Sequence, residues 1–142
     1  MTSQTSPAYD LVQQIAILNN TVTTTINQRL KPYGLNASNY FYILKIAEHP
    51  LISQSQLNDL IQMNQSSVTR SVNNLIKAGL VTKTTSAKDK RTGQLALTAT
   101  GQAMYQKVAQ DINGLNRKLS RQVLQPKALH QMIQQLSQAL KA

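Results

Sequence analysis

The sequence predicts a mainly α-helical fold with one small β-hairpin. Six segments repeat apolar residues at steps of three and four, which is the spacing of one stripe along a helix. Residues 81–85 instead alternate β-branched side chains, and Leu95 and Leu97 alternate in the same way after Gly93. The basic segment at residues 87–92 is therefore predicted to be the loop of the hairpin.

The first two helices each have an apolar stripe and recognisable ends. The first occupies residues 11–30, and residues 32–34, which contain a proline and a glycine, close it. The second covers residues 40–47, with Asn36 or Ser38 as its N-terminal cap.

The other four helices begin at residues that favour helix starts. Residues 53–56 have the Ser-x-x-Gln form of a capping box before the third helix. Asn64 caps the fourth helix, which Gly79 ends; Thr98 caps the long fifth helix and Pro126 begins the sixth. The predicted order is four helices, a two-stranded hairpin and two more helices.

The charge balance points to a polyanionic partner. The 142 residues hold 15 Lys and Arg against 5 Asp and Glu, a formal net charge of +10. Residues 1–65 sum to zero, so residues 66–142 carry the whole excess. Polyanions are the natural partners of such a chain, with nucleic acid favoured over an anionic membrane surface.

The composition excludes several classes of protein. The sequence has no cysteine, which excludes a disulfide scaffold, a zinc ribbon, a thiol nucleophile and a cysteine redox switch. Residues 1–7 lack the basic start of a secretory signal, and no apolar run follows them. We therefore expect neither a signal peptide nor a transmembrane helix, and we predict a cytoplasmic protein that does not bind a membrane.

Polar side chains fill one side of the fourth helix. Val68, Val72, Leu75 and Ile76 share a sector of about 100°, and the opposite side carries no carboxylate. Arginine can bridge guanine O6 and N7, asparagine can bridge adenine N6 and N7, and hydroxyls can meet phosphates or base edges. We predict a DNA-binding face here, with an ordinary solvated face as the alternative. Its residues are Ser66, Ser67, Thr69, Arg70, Asn73, Asn74 and Lys77.

The tip of the hairpin adds a second basic cluster. Lys88, Lys90 and Arg91 repel one another unless a polyanion receives them, and a hairpin can lay such residues along the DNA backbone or into a narrow minor groove. Asp89 lies among them. It either holds a basic side chain in position or is a free acid on the surface. We predict that these four residues belong to the same DNA-binding surface.

Three blocks of the sequence follow one another in a recognisable order. Residues 75–81 read Leu-x-x-x-Gly-Leu-Val, residues 89–91 read Asp-x-Arg, and residues 97–101 read Leu-Thr-x-x-Gly. Together with the lengths of the flanking helices, these blocks resemble the MarR family of bacterial winged helix-turn-helix regulators. The resemblance covers nearly the whole chain.

The resemblance implies a homodimer that binds a pseudo-palindromic operator in double-stranded DNA. The first helix and the last two helices of each subunit would interlock, Arg91 would enter the minor groove, and Asp89 would orient the wing. The family often has arginine after Leu-Val-x. This chain has Lys83 there, which keeps the charge but lacks the bidentate fork that would fix an ion pair with the wing.

Residues 1–142 are predicted to form a single domain of this type. Residues 36–98 would form the winged helix-turn-helix lobe, and residues 8–34 and 99–142 would supply the dimerisation helices. The aliphatic stripes of the first, fifth and sixth helices support dimerisation independently, because a small core could not cover them. The alternative is a monomeric helical cap.

A cluster of aromatic residues suggests a pocket for an effector. Many family members release DNA when a small, often aromatic anion binds between the DNA-binding lobe and the dimer helices. Five of the six aromatic residues lie within the first 42 positions, near Arg29 and Lys31. They could line such a pocket or could pack in the core. The candidate pocket residues are Tyr9, Arg29, Tyr33, Tyr40 and Tyr42.

The sequence offers no support for metal binding or catalysis. His49 and His130 are the only histidines, and neither has a second ligand at metal spacing. No Gly-rich phosphate loop, carboxylate pair or nucleophile beside a base is apparent. We predict a non-enzymatic, cofactor-free regulator: a homodimeric, sequence-specific repressor relieved by a small aromatic or anionic effector. The alternatives are a winged-helix protein-interaction module and a nonspecific nucleic-acid binder.

Overall fold

The computed structural model describes residues 9–61, 63–85 and 93–141 and confirms a mainly α fold with a small antiparallel sheet. The predicted wing-tip residues Lys88, Asp89, Lys90 and Arg91 lie outside the described residues. The described elements are α1 Leu11–Leu30, a 3₁₀ turn Lys31–Tyr33, α2 Tyr40–Glu48, β1 Ile52–Ser53, α3 Gln54–Ile61, α4 Gln65–Lys77, β2 Val81–Thr85, β3 Gly93–Leu97, α5 Ala99–Gln122 and α6 Pro126–Lys141.

Backbone packing divides the chain into two compact units, Met1–Val108 and Ala109–Ala142. The first unit contains α1 to α4, the three strands and the beginning of α5. The second contains the rest of α5 and α6. The assignment of residues 36–98 to DNA binding, and of residues 8–34 and 99–142 to dimerisation, stays a prediction.

Local hydrogen bonds fix the two ends of α1. The Asp10 carboxylate accepts the backbone N–H of Gln13 at 3.0 Å, which satisfies one of the free donors at the start of the helix. The chain leaves the helix through the 3₁₀ turn and Gly34, whose φ of +71° lies in the left-handed region that glycine tolerates. The side-chain oxygen of Asn27 then accepts the backbone N–H of Ala37 at 2.8 Å and ties α1 to the approach to α2.

The predicted cap of α2 was wrong. The residue that flanks the helix start is Asn39, and its side chain makes no capping bond to α2. Its side-chain oxygen instead accepts the backbone N–H of Asn36 at 2.8 Å, while the Asn36 oxygen accepts the N–H groups of Ser38 and Asn39 at 2.8 and 3.1 Å. The two asparagines therefore stabilise the turn before α2, a role for which asparagine is as well suited as for a cap.

The predicted starts of α3 and α4 are confirmed. The Ser53 hydroxyl accepts the backbone N–H of Gln56, and the Gln56 side chain accepts the backbone N–H of Ser53, both at 3.0 Å, which is a reciprocal capping box. The Asn64 side chain accepts the backbone N–H of Ser67 at 2.8 Å. Gly79, at φ +76°, ends α4 as predicted.

The sheet has one strand more than the predicted hairpin. β2 and β3 pair antiparallel, with Val81 opposite Leu97, and β1 adds to the other side of β3, giving the order β1-β3-β2. Ile52 pairs with Leu95 in this extra strand. A strand of two residues is too short to show an alternating pattern, so the sequence did not reveal it.

The core of the first unit lies where its helices meet the sheet. Ten of its side chains are less than 2% exposed, and helix α2 contributes the largest share of them. Full burial of one such aliphatic side chain is worth about 1.5–3 kcal/mol. The core side chains are Leu30, Tyr42, Ile43, Ile46, Leu57, Val68, Val72, Val81, Leu95 and Val108.

The first turn of α5 docks against the end of α4. The Thr98 hydroxyl accepts the backbone N–H of Gly101 at 2.9 Å and donates to the carbonyl of Gly79 at 2.6 Å. The backbone N–H of Thr98 donates to the carbonyl of Leu80 at 3.0 Å. Gly101 lies so close to Leu80 that a Cβ atom at this position would collide with the Leu80 carbonyl. The Leu-Thr-x-x-Gly block therefore has a structural role in this junction.

Helix α6 of the second unit has no buried residue among those described. Leu129, Met132, Ile133 and Leu140 are all substantially exposed. No helix among the described residues is long and apolar enough to cross a membrane.

Candidate nucleic-acid interface

The burial of one side of α4 decides which side chains point outward. Val68 and Val72 are fully buried and Leu75 is 3% exposed, so the apolar sector packs into the first unit. Ile76, predicted for the same sector, is only half-buried. The opposite side of α4 therefore faces solvent. The Asn64 cap and the buried apolar side chains hold the helix in place.

The exposed side of α4 forms a shallow depression of about 600 Å³. Six of the seven predicted residues line it, whereas Ser67, which is half-buried, does not. Gln65 also lines the depression and was missed by the sequence analysis; it lies one helical turn before Thr69, so a helical wheel begun at Gln65 would have included it. The lining residues are Gln65, Ser66, Thr69, Arg70, Asn73, Asn74 and Lys77.

The chemistry of this depression suits a hydrogen-bonding anion. Arg70 and Lys77 are its two cations, its other side chains are amides and hydroxyls, and no carboxylate is among the residues that line it. Arginine, lysine and amide groups are the side chains that meet phosphates and base edges in DNA complexes. The exposed side of α4 can therefore offer both charge and directional donors and acceptors to a duplex.

A hydrogen-bond chain links α4 to the base of the hairpin. The Lys83 Nζ donates to Gln54 Oε1 at 3.2 Å, and the Gln54 Nε2 donates to Thr69 Oγ1 at 2.7 Å. Lys83 belongs to β2, Gln54 begins α3 and Thr69 lies on α4. Sequence reasoning placed only Thr69 at the interface, since the proximity of the other two depends on the tertiary fold.

A polar cavity of about 250 Å³ lies beside this chain. Asn58 lines this cavity, and its side-chain oxygen is buried with no hydrogen bond from any group among the described residues. An unsatisfied buried acceptor is destabilising. The residues that line the cavity are Gln54, Ser55, Asn58, Gln65, Val68, Lys83 and Gly93.

Comparisons with known proteins identify the family. Residues 33–92 match a family model described as the MarR family. Over 109 residues, which cover 72% of this chain and 66% of the relative, the chain is 30% identical to the HTH-type transcriptional regulator PapX of Escherichia coli. The chain belongs to the MarR family.

The similarity to individual proteins of this kind is partial. The chain spans 66% of the length of PapX, slightly less than two thirds. It is 24% identical over 96 residues to the uncharacterized HTH-type transcriptional regulator YybA of Bacillus subtilis, covering 68% of this chain and 64% of that protein.

Solved MarR structures share the fold at low sequence identity. A mutant MarR of E. coli, crystallised in complex with operator DNA, superposes with a TM-score of 0.80 at 21% identity and covers 94% of this chain and 95% of that one. A MarR transcriptional regulator from Methanosarcina mazei gives the same TM-score at 18% identity, covering 92% and 96%. At this level of identity the similarity establishes the fold alone.

The range matched by the MarR family model includes the two segments predicted to bind DNA, which are α4 and the wing tip at residues 88–91. Lys83, which replaces the arginine frequent in the family, donates to Gln54 within the described residues. The contacts of Asp89 and Arg91 are outside the described residues, so their predicted wing roles stay predictions.

The candidate MarR-type effector residues differ widely in exposure. Tyr40 and Tyr42 are 6% and 1% exposed, and the Tyr42 hydroxyl reaches the Met63 sulfur at 3.8 Å, which favours a core role for these two residues. Burial also raises the pKa of the Tyr40 hydroxyl. Tyr9 is exposed, whereas Arg29 and Tyr33 are half-buried. Among the described residues no group of three or more His, Asp or Glu could hold a metal ion.

Proposed function

We propose that this chain is a sequence-specific transcription regulator that binds double-stranded DNA as a homodimer and represses transcription. In this proposal α4 enters the major groove and the wing follows the backbone into the adjacent minor groove. The function is binding, without catalysis. The proposal rests on membership of the MarR family and on the chemistry of the exposed side of α4.

The exposed side of α4 is the observation that carries this proposal. The major groove of B-DNA admits an α-helix and presents a distinct pattern of donors and acceptors for each base pair. Arg70, Asn73 and Asn74 are the side chains that can read such a pattern, while Lys77 and Ser66 suit phosphates. Lys88, Lys90 and Arg91, oriented by Asp89, would add the backbone and minor-groove contacts. A MarR neighbour of the same fold was crystallised with operator DNA, which supports this arrangement.

Exposed apolar residues support the homodimer. On α1 the N-terminal half of the stripe remains exposed although Ile26 and Leu30 are buried, and α6 has no buried residue among those described. Apolar stripes that stay exposed on helices usually mark an interface. We propose that a second copy covers it. The residues concerned are Leu11, Ile15, Leu18, Leu119, Leu129, Met132, Ile133 and Leu140.

The proposal also includes control by a small aromatic anion. Arg29 and Lys31 supply positive charge near Tyr33 in the sequence, whereas Tyr9 lies twenty residues before Arg29, and Tyr40 and Tyr42 are core residues. A thermal-shift titration with hydroxybenzoates tests this part of the proposal. A ligand that raises the melting temperature and weakens operator binding supports it, and no change with any hydroxybenzoate contradicts it.

Selection of duplexes from a random library by the purified protein tests DNA binding directly. We expect enrichment of a pseudo-palindromic site and an affinity that falls steeply with salt, because each neutralised phosphate releases counterions. Equal affinity for selected and random duplexes would show a nonspecific binder. Absence of salt-dependent DNA binding would favour a protein-interaction module.

A further inference from the structure

We propose that Lys83, acting through Gln54, holds the Thr69 hydroxyl as a hydrogen-bond donor toward DNA, and so determines base preference where Thr69 meets the duplex. This inference rests on the proposed DNA-binding function. Lys83 and Gln54 are positioning residues, because they act through Thr69.

Three elements meet in this arrangement. Lys83 Nζ on β2 lies 3.2 Å from Gln54 Oε1 at the start of α3, and Gln54 Nε2 lies 2.7 Å from Thr69 Oγ1 on α4. Thr69 is half-buried and lines the depression on the exposed side of α4. The chain of bonds therefore begins at the base of the wing and ends at the surface proposed to read DNA.

The direction of each bond follows from the chemistry of the groups. An ammonium group has three donors and no acceptor, so Lys83 can bond only the oxygen of the Gln54 amide. The amide then turns its NH₂ group toward Thr69, which must accept with its hydroxyl oxygen. The single hydroxyl proton of Thr69 is not used in this bond and is available for an acceptor outside.

The packing at Gly93 gives Lys83 its path to Gln54. Lys83 is paired with Leu95 on β3, and Gly93 lies two residues earlier on the same face of the sheet. A Cβ atom at Gly93 would collide with the aliphatic part of the Lys83 side chain. Because Gly93 has no side chain, the ammonium group of Lys83 has space to reach α3.

A donor at Thr69 predicts which partners it prefers on DNA. Guanine O6 and N7, adenine N7, thymine O4 and phosphate oxygens are acceptors, whereas cytosine N4 and adenine N6 are donors. Gln54→Glu reverses the direction of the hydrogen bond to Thr69, because a carboxylate has only acceptors and the Thr69 hydroxyl must then donate to it. Thr69 would then present only lone pairs and would favour donor groups on the bases.

The test is operator selection with the wild type and matched variants. In Gln54→Glu we expect the preference to change by about three- to tenfold, the effect of one hydrogen bond, at one base pair of each half-site. Thr69→Val removes the hydroxyl with little change in shape, and adding Gln54→Glu to it should shift the preference no further. Gln56→Glu makes the same chemical change two residues away and preserves an acceptor for the capping box, so it should leave the base preference unchanged.

Two Lys83 variants test whether Lys83 sets the direction of the hydrogen bond between Gln54 and Thr69. Lys83→Met removes the donor that orients the amide, so the preference at the same base pair should broaden. Lys83→Arg keeps a donor-only group and should retain the preference. Melting curves establish that each variant is folded, and the Lys83 variants test the inference if Gln54→Glu does not fold.

The outcomes separate the inference from the proposed function. If the wild type selects an operator but Gln54→Glu weakens all duplexes equally, or shifts preference equally in the Thr69→Val background, the inference is wrong and the proposed function stands. If the wild type selects no sequence, the proposed function fails and the inference fails with it.

Discussion

Arg70 is the residue on α4 whose loss should change DNA recognition most directly. It is exposed, lines the depression and has the planar group that can bond two acceptors of one guanine. We expect Arg70→Ala to weaken operator binding by about 1–3 kcal/mol and to relax base preference at one position of each half-site. Fluorescence anisotropy with the operator and its single-base variants measures both effects.

Lys45→Ala is the control for the lost charge. Lys45 forms a surface ion pair with Glu48 at 3.0 Å on α2, and such pairs contribute little to stability. Lys45 is not among the residues that line the depression on α4. It should leave base preference unchanged. A uniform loss of affinity in Arg70→Ala, with base preference intact, would show that Arg70 contacts phosphate instead of a base.

Asn58 carries a polar atom that the fold does not satisfy. Its side-chain oxygen is buried without a hydrogen-bond donor among the described residues. Leucine is close to asparagine in size, so Asn58→Leu should raise the free energy of unfolding by about 1 kcal/mol by removing the unpaired acceptor. Urea denaturation measures the change. A loss of stability would show that Asn58 makes a hydrogen bond in solution.

At the scale of elements, two glycines of α5 should respond oppositely to the same substitution. Gly101 lies against the Leu80 carbonyl, so the added methyl group of Gly101→Ala forces α5 away from the end of α4. We expect a loss of about 1–3 kcal/mol in the free energy of unfolding, as for other overpacked sites. In Gly114→Ala the nearest atom to the added Cβ is Arg117 Nη2 at 3.9 Å, and a gain of about 0.5–1 kcal/mol is expected in the helix interior.

Chemical denaturation of both variants at equal protein concentration checks this pair. Equal and small effects at the two positions would contradict the close approach of α5 to Leu80. The comparison also shows why the Leu-Thr-x-x-Gly block includes glycine: Thr98 closes the junction with its hydroxyl, and Gly101 permits the backbones to touch.

Elements with local signals could be predicted from the sequence. The capping box at Ser53 and the Asn64 cap depend on residues three apart, and both are observed. The cap of α2 was misassigned because Asn36 and Asn39 bond each other's backbone, and either side chain could have served. Local patterns therefore fix where a helix begins only when competing side chains are absent.

The candidate site was predictable to the extent that one helix carries it. The helical period of the α4 sequence predicts its exposed side, because apolar and polar residues of this one segment fall on opposite sides of the helix. The bond from Gln54 to Thr69 spans fifteen residues and that from Lys83 to Gln54 spans twenty-nine, so neither has a periodic signal in the sequence. Contacts of this kind become visible only when the tertiary fold is known.

For the whole molecule, the uneven charge and the exposed apolar surface have different consequences. The net charge of +10 lies entirely in residues 66–142: residues 66–101, which include α4 and the wing tip, carry +5, and residues 102–142, which include most of α5 and all of α6, carry the other +5. Residues 1–65 are electrically balanced and include the exposed apolar part of α1. The apolar part of α1 can be covered by an identical copy without charge repulsion, whereas the basic clusters of α4 and the wing tip suit a polyanion.

The proposed homodimer predicts how substitutions on α1 and α6 alter the association of the chain. Leu18 and Ile133 are 62% and 52% exposed, so a polar side chain at either position should leave the isolated chain stable. In a twofold interface each substitution occurs twice, and burying one such aliphatic side chain is worth about 1.5–3 kcal/mol. Leu18→Gln and Ile133→Gln should therefore each weaken dimerisation by about 3–6 kcal/mol.

Light scattering after size-exclusion chromatography, over a range of concentrations, measures this change. The wild type should have about twice the chain mass of 15.7 kDa, and the two variants should dissociate toward that mass on dilution. Leu60→Gln is the control, because Leu60 is 48% exposed but lies on α3. A wild type that remains at the chain mass, or an equal effect of Leu60→Gln, would show that α1 and α6 do not form the interface.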